Sequence, residues 1–256
     1  MLRKRIIFTL IYENGIFNQS RNFRLQKVGN LNWLEKNYKF QTIAFSLDEL
    51  IVLNASKEDK NIDEFANILG NLVNDVFIPI AAGGGIRTMD DAKLLFDNGA
   101  DKIVLNTILA TNPDLVRKLV RQYGSQSIVA SVDYKPTNNM PCVFINDGNK
   151  NLDIGIDDYI CYLEELNVGE LYLNSIERDG TGFGYDLDTI RRVCENTTLP
   201  MIIAGGAGNE NHLIEGLNIE NVNAVATANL FNFIGDGLPK ARKRIIEEDM
   251  NIATWK

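Results

Sequence analysis

The residues best suited to chemistry in this chain stand at the ends of short apolar runs. Asp133 closes the run SIVASVD, where a carboxylate can act as a general acid or base. Two glycine pairs, Gly84 with Gly85 and Gly205 with Gly206, also follow apolar runs. Glycine lets backbone N–H groups approach an anion, and a following helix adds its positive N-terminal end. The sequence thus predicts an acid–base carboxylate between two phosphate-binding turns.

These turns belong to an internal repeat. Aligning Pro79 of IPIAAGGGI with Pro200 of LPMIIAGGAG gives a shift of 200 − 79 = 121 residues. A shift of 133 − 11 = 122 residues places Asp133 opposite Ile11. Only the second half therefore ends this strand in a carboxylate.

Each glycine turn has a companion turn in its own half of the chain. Asn106 and Thr107 follow the next apolar run in the first half, and Asn229 does so in the second. A glycine pair alone fits equally well a tight turn that needs glycine for steric reasons. The recurrence in both halves favours two cradles and a long ligand with a phosphate at each end.

The two carboxylates near these turns each have a simpler explanation as well. Asp133 could cap its turn or pair with Lys135 instead of handling protons. Asp179, in the loop NSIERDGTGFGYD, could contact the ligand or brace its loop against Arg178. The sequence leaves both alternatives open.

A second set of charged residues stands at or near the starts of apolar runs. Two are basic and two are acidic, so they could close a ring of ion pairs at the floor of a barrel. The alternative is a solvated rim, where charged residues are ordinarily found. The four residues are Arg5, Glu49, Lys102 and Glu170.

The elements that position these residues alternate between short apolar runs and longer amphipathic stretches, a pattern typical of βαβ units. The predicted strands are 5–10, 49–53, 78–82, 102–105, 127–132, 170–173, 200–204 and 222–226. The predicted helices are 60–74, 89–98, 112–122, 156–167, 186–195, 209–217 and 237–248. Asp147-Gly148 within 141–153 predicts an inserted hairpin.

Eight such strands predict an α/β fold, a (β/α)8 TIM barrel built from two half-barrel repeats. We expect one domain over 1–256, with half-barrels of roughly 1–123 and 124–256. A doubly wound open sheet is the alternative.

Composition limits the partners of the chain. The 256 residues carry a net charge of −8, which argues against nucleic acid or an anionic membrane surface as the main partner. The start MLRKRIIFTLIY predicts a first strand rather than a signal peptide, and no run approaches the roughly 18 apolar residues of a membrane span. Three scattered cysteines and the single His212 predict a reducing cytoplasm and neither a metal nor a cofactor.

A series of motifs across nearly the whole chain resembles the cyclase subunit of imidazole glycerol phosphate synthase, HisF. The motifs are KRII, DEL, GGGI, GADKIVLNT, GSQSIV, NSIERDGTGFGYD and IIAGGAG. The resemblance implies a (β/α)8 barrel that pairs with a HisH-type glutaminase. Ammonia released by that partner would pass through the barrel to a bisphosphorylated ribulosyl ligand, which is cleaved and cyclised.

The resemblance also assigns roles to residues. It implies that the ring of Arg5, Glu49, Lys102 and Glu170 is a gate on the ammonia channel, and that Asp101 and Gln126 lie at or near the glutaminase interface. The implied phosphate-site residues are Gly85, Asn106 and Thr107 at one site and Gly206 and Asn229 at the other.

Three departures from the family pattern bear on the activity. The family's first-strand Asp is replaced by Ile11, its ligand-closing Lys by Gln19 and a further Asp by Asn54. They imply a paralogue that keeps the glutaminase and serves acetamidino-sugar and surface-polysaccharide biosynthesis, where a sugar amidotransferase could be a further partner. The alternatives are a genuine histidine-pathway synthase, using Asp133 alone or with Glu13, and a non-catalytic scaffold that activates a glutaminase.

Overall fold

The computed structural model describes residues 3–38, 40–43, 45–57, 60–138 and 140–254. These residues form twelve strands: β1 (Arg5–Glu13), β2 (Ile16–Arg21), β3 (Arg24–Gly29), β4 (Glu49–Asn54), β5 (Ile80–Gly83), β6 (Lys102–Leu105), β7 (Ile128–Thr137), β8 (Met140–Ile145), β9 (Lys150–Gly155), β10 (Glu170–Ser175), β11 (Met201–Ala204) and β12 (Val222–Thr227).

The same residues form ten α-helices: α1 (Leu31–Tyr38), α2 (Phe40–Ile43), α3 (Ile62–Asp75), α4 (Met89–Asp97), α5 (Thr107–Thr111), α6 (Pro113–Tyr123), α7 (Ile156–Glu165), α8 (Leu187–Asn196), α9 (Glu210–Leu217) and α10 (Gly237–Glu247). None of the helices in the described part of the chain is long and apolar enough to span a membrane.

Eight parallel strands close into a barrel, in the order β1, β4, β5, β6, β7, β10, β11, β12 and back to β1. Closure leaves these strands without an open edge. The predicted (β/α)8 barrel is confirmed, and the open-sheet alternative is wrong.

Alternating side chains explain why these sequences form a barrel. On β1, Ile7 points into the interior cluster with Ile51 and Val129, whereas its neighbours Ile6 and Phe8 belong to the cluster under the helices. Strands that bury both faces need apolar residues on both, which is why they read as continuous apolar runs.

Two antiparallel hairpins extend equivalent strands of the two halves. Strands β8 and β9 continue from β7, which confirms the predicted hairpin, and β2 and β3 continue from β1. The first hairpin is missing from the sequence prediction. Its turn is Asn14-Gly15, with φ of 47° and 80°, the dipeptide that two-residue hairpin turns favour.

The helix starts follow the capping residues. The Thr88 side chain accepts a hydrogen bond from the Asp91 N–H, and the Asn112 side chain accepts one from Leu115 ahead of Pro113. The seven predicted helices agree with α3, α4 and α6–α10 to within about two residues. The helices α1, α2 and α5 are additional.

Candidate functional site

A cavity of about 700 Å³ opens at the C-terminal ends of the barrel strands. This is the face where (β/α)8 barrels carry their chemistry. The cavity brings together every residue that the sequence places at the mouth: Gly84, Gly85, Asn106, Thr107, Asp133, Asp179, Gly205, Gly206 and Asn229.

Asp133 lies buried at the centre of this mouth, held by two amides. Asn106 Nδ2 donates to Asp133 Oδ2 and Asn174 Nδ2 donates to Asp133 Oδ1, both at 3.1 Å. The alternative pairing with Lys135 is not what the structure shows, because that ammonium lies 4.3 Å from the ring centroid of Phe144. Asn174 was missed by sequence reasoning, although it too stands at the end of its strand.

The surroundings of Asp133 shift its pKa toward neutral pH. Burial raises the pKa of Asp133 to about 7, against the opposing hydrogen bond from Asn174. The negative charges of Asp147 and Asp179 contribute to this rise, while Lys60 opposes it. A carboxyl group with such a pKa can both take up and release a proton at neutral pH.

The residue equivalent to Asp133 in the first half of the chain is Ile11, which has no titratable group. Ile11 lines the cavity and pairs with Asn18 of the neighbouring hairpin. Among the described residues that line the cavity, Glu13 is not present. The mouth therefore carries Asp133 without a second carboxylate from β1.

The first glycine turn lies against the backbone of β4. Gly84 and Gly85 both have φ of +94°. A Cβ on Gly84 would lie 2.2 Å from the Asn54 carbonyl oxygen. Beside this turn, the Thr107 hydroxyl accepts a hydrogen bond from the Asn146 N–H at 3.3 Å. Glycine is thus required both for conformation and for space.

We expect Gly84→Ala to lower the free energy of unfolding by at least about 2 kcal/mol, since a strained backbone costs about 1–3 kcal/mol and the collision with Asn54 adds to it. Gly235→Ala is the control, because Gly235 has φ of +61° and nothing within 4 Å of an added Cβ. We expect the control to cost about 1 kcal/mol. Urea unfolding measures both, and equal losses would contradict the collision.

The second glycine turn lies on the other side of the mouth. Gly205 and Gly206 have φ of +86° and +112°, and the Gly206 carbonyl accepts a hydrogen bond from Gly184 at 2.8 Å. Asn229 follows β12 beside this turn and lines the same cavity. The two glycine turns therefore face one shared space.

Asp179 braces a loop, but through other partners than Arg178. Its carboxylate accepts hydrogen bonds from the Ser20 hydroxyl at 2.5 Å and from the Phe23 N–H at 3.0 Å. Burial raises the pKa of Asp179 above its ordinary value. Since it also lines the cavity, Asp179 fixes the β2–β3 hairpin over the mouth and remains within reach of a ligand.

The four charged floor residues form one closed ring at the opposite end of the barrel. Arg5 contacts Glu49 at 2.6 Å and also pairs with Glu170. Lys102 reaches Glu49 at 3.1 Å and Glu170 at 2.9 Å. The glutamates are buried, so the solvated-rim alternative is wrong. Burial raises the pKa of Glu49, against the pull of Lys102 and Arg5.

A polar pair in the barrel interior lies between the ring and Asp133. The Thr9 Oγ1 and Tyr172 hydroxyl oxygens are 3.1 Å apart, and both side chains are buried. Residues two apart on a strand share a face, so β10 contributes Glu170 to the ring, Tyr172 to the interior and Asn174 to the mouth. Sequence reasoning missed this pair.

The predicted interface residues lie at the ring end. Asp101 precedes β6 and its carboxylate accepts the Ile80 N–H at 2.8 Å, while Gln126 lies in a 3₁₀ turn before β7. Phe45 and Phe77 precede β4 and β5 at this end, with exposures of 65% and 78%. Exposed aromatic side chains are enriched in protein interfaces.

The single histidine has a structural contact. His212 Nδ1 accepts a hydrogen bond from the Gly208 N–H at 3.1 Å. Within the part of the chain that the structure describes, no three His, Cys, Asp or Glu side chains are placed to hold a metal ion.

Fold and site together define a (β/α)8 barrel with a buried carboxylate at its mouth and an ion-pair ring at its floor. The model of the family described as "Histidine biosynthesis protein" matches residues 25–235. The chain belongs to this family, and its relatives show it to be a HisF-like protein.

Two of those relatives match over most of their length. The first is the "Putative imidazole glycerol phosphate synthase subunit hisF2" of Parasynechococcus marenigrum, 44% identical over 256 residues, which are 100% of this chain and 95% of the relative. The second is the "Imidazole glycerol phosphate synthase subunit HisF" of Pyrobaculum aerophilum, 35% identical over 239 residues, which are 93% of this chain and 92% of the relative.

Proposed function

We propose that this chain is the synthase subunit of a glutamine amidotransferase complex of the imidazole glycerol phosphate synthase type. A HisH-type glutaminase docks at the ring end, and its ammonia travels along the barrel axis to a phosphorylated acceptor at the mouth. The chain is then an ammonia-dependent lyase or cyclase subunit. The names of the two relatives support this assignment.

The observation that carries the proposal is the series of polar groups along the barrel axis. The ring lies at one end, Tyr172 and Thr9 meet in the interior, and Asp133 lies at the other end. Ammonia can both donate and accept hydrogen bonds, so the two hydroxyl groups give it a partner midway. Apolar side chains such as Ile7 and Val129 separate these polar layers.

The docking face for the glutaminase surrounds the ring. It includes Asp101 and Gln126, with Phe45 and Phe77 as exposed apolar contacts. A partner seated there would cover the ring and could deliver ammonia without loss to solvent. Cys142, Cys161 and Cys194 are free thiols, which supports a cytoplasmic location for the complex.

The acceptor differs from the bisphosphorylated ribulosyl ligand. Ile11 cannot transfer a proton, and Gln19 cannot neutralise a phosphate as lysine would. These two side chains support a paralogue for acetamidino-sugar and surface-polysaccharide biosynthesis. A sugar amidotransferase could be a further partner that receives ammonia at the mouth.

The experiment is an assay of the purified barrel with the ribulosyl ligand and ammonium. We expect slow turnover from the unmodified chain, and an increase of about 10²–10⁴ in Ile11→Asp, because a positioned acid or base contributes that much. Ile11→Asn is the matched control, because asparagine has nearly the same shape as aspartate but no titratable proton. Fast turnover by the unmodified chain, unchanged in Ile11→Asp, would refute the paralogue.

The second candidate is a genuine synthase of histidine biosynthesis. It is favoured by the pKa of Asp133, raised to about 7 by burial, which suits acid–base work. In that case Asp133 works alone, because Glu13 is not among the described residues that line the cavity. The same assay identifies such a synthase by fast turnover of the unmodified chain.

A further inference from the structure

The two glycine turns at the mouth differ in what their surroundings offer an anion. Beside the second turn, in the segment that follows β12, three backbone N–H groups already have partners inside the protein. The Leu230 N–H donates to Gln19 Oε1 at 2.8 Å. The Phe231 and Asn232 N–H groups donate to Asn229 Oδ1 at 3.3 and 3.0 Å. An oxyanion bound by the N–H groups of this segment would have to displace the side-chain amides of Gln19 and Asn229.

The first turn, by contrast, is surrounded by positively charged side chains. Lys57, Lys60 and Arg87 are the cationic side chains among the described residues that line the cavity, and all three come from the loops after β4 and β5. These loops flank Gly84 and Gly85. Among the described residues, positive charge in the mouth therefore lies at the end of the first turn.

Lys60 is placed to contact a ligand at this turn. Its stem lies over Gly85, where an added Cβ would come within 3.0 Å of the Lys60 Cβ. Its ammonium pairs at 3.2 Å with Asp147 on the β8–β9 turn, and Asp147 is 41% exposed. Partly exposed ion pairs contribute little stability, so an anionic ligand can replace Asp147 as the partner of Lys60 at small cost.

A buried amide adds a second donor. Asn54 is 2% exposed and lines the cavity, with its carbonyl against Gly84. Its Oδ1 accepts the Ser56 N–H at 3.1 Å, while within the described structure its Nδ2 has no hydrogen-bond partner. A buried donor without a partner is costly, and a ligand oxygen at this place would satisfy it.

We infer that the acceptor carries a single anionic group, which binds at the first turn between Lys60 and Asn54, and that the second turn holds an uncharged, hydroxylated end. Gln19 and Asn229 can hydrogen-bond to hydroxyl groups, but they carry no positive charge with which to neutralise a phosphate. The acceptor class is therefore a monophosphorylated sugar-like molecule. This inference rests on the proposed function, in which the mouth is the acceptor site, and it revises the expectation of a phosphate at each end.

The experiment compares fructose 6-phosphate with fructose 1,6-bisphosphate as binding probes, by calorimetry at pH 7. We expect the second phosphate to improve Kd by no more than about twofold, the statistical factor for two equivalent ends. An improvement of about tenfold or more would show a second anion site and overturn the inference.

Variants of the chain locate the anion. We expect Lys60→Ala to weaken the binding of inorganic phosphate by about tenfold, because charge-assisted hydrogen bonds are the strong ones. Lys150→Ala, which removes an equal charge from the exposed β9, is the matched control and should leave Kd unchanged. Equal affinities in Lys60→Ala and the unmodified chain would refute the assignment. Neither measurement uses ammonia or glutaminase, so its failure is distinct from failure of the proposed function.

Discussion

Replacing Asp133 with asparagine will stabilise the barrel at pH 8 by about 4 kcal/mol and leave its stability unchanged at pH 4. Burial raises the pKa of Asp133 from 3.8 to about 7, and each unit corresponds to about 1.4 kcal/mol. The folded protein therefore keeps this proton until about pH 7, whereas the unfolded chain releases it near pH 4. Between these values the unfolded state binds fewer protons, so this group lowers stability as pH rises.

Urea unfolding of both proteins from pH 4 to pH 8 measures the difference. Asparagine cannot titrate, and the Asn174 amide can turn its oxygen toward the new side chain, so packing is preserved. Asp188→Asn is the control, because that carboxylate is 99% exposed and its removal should have nearly the same small effect at every pH. A stability difference for Asp133→Asn that does not change with pH would mean that Asp133 ionises normally.

The same variant separates an enzyme from a scaffold. If Asp133 transfers protons, the output of the glutaminase complex falls by about 10²–10⁴ in Asp133→Asn. A chain that only activates a glutaminase would keep its full output. A more stable protein with lost output is the combination expected of a catalytic group held in a costly environment.

The ring and the mouth could be predicted because the relevant residues sit at strand ends. In a parallel barrel, the N-terminal ends of all strands lie at one end and their C-terminal ends lie at the other. Glu49, Lys102 and Glu170 each start a strand, so their meeting with Arg5 follows from topology. No knowledge of side-chain detail is needed for that step.

Contacts that depend on register and layer could not be predicted in this way. The hydrogen bond from the Leu230 N–H to Gln19 Oε1 joins residues 211 positions apart and requires the β2–β3 hairpin. The Asn14-Gly15 signal for that hairpin was present in the sequence. Tyr172 looks like an ordinary core residue within its strand, and only closure of the barrel shows that its hydroxyl meets Thr9.

The role of Lys60 likewise could not be predicted from the sequence. In the sequence it is one lysine among several near the start of a helix. Its importance comes from a contact with Asp147, 87 residues away on the second hairpin, and from its place over Gly85. The charge asymmetry of the mouth is therefore visible only in three dimensions, although the glycine turns themselves were predicted.

Removing one cation from the floor ring will strongly lower the stability of the barrel. We expect Lys102→Ala to lower the free energy of unfolding at pH 7 by about 3 kcal/mol, because breaking a buried pair leaves an uncompensated charge that costs about 3–5 kcal/mol. Glu49 and Glu170, with side chains 3% and 8% exposed, would then share Arg5 alone. Lys93→Ala is the control, since Lys93 and Asp97 are 64% and 58% exposed and contribute little.

The pH dependence of this loss tests its electrostatic origin. Burial already raises the pKa of Glu49, and without Lys102 that pKa rises further, so the glutamate takes up a proton as pH falls. The destabilisation should therefore shrink between pH 7 and pH 4. If the ring controls the passage of ammonia, the variant should form less product per glutamine hydrolysed in the complex, and added ammonium, which reaches the mouth from solvent, should restore the product. If a destabilised variant still forms the same amount of product per glutamine hydrolysed, the ring has a structural role and does not control the passage of ammonia.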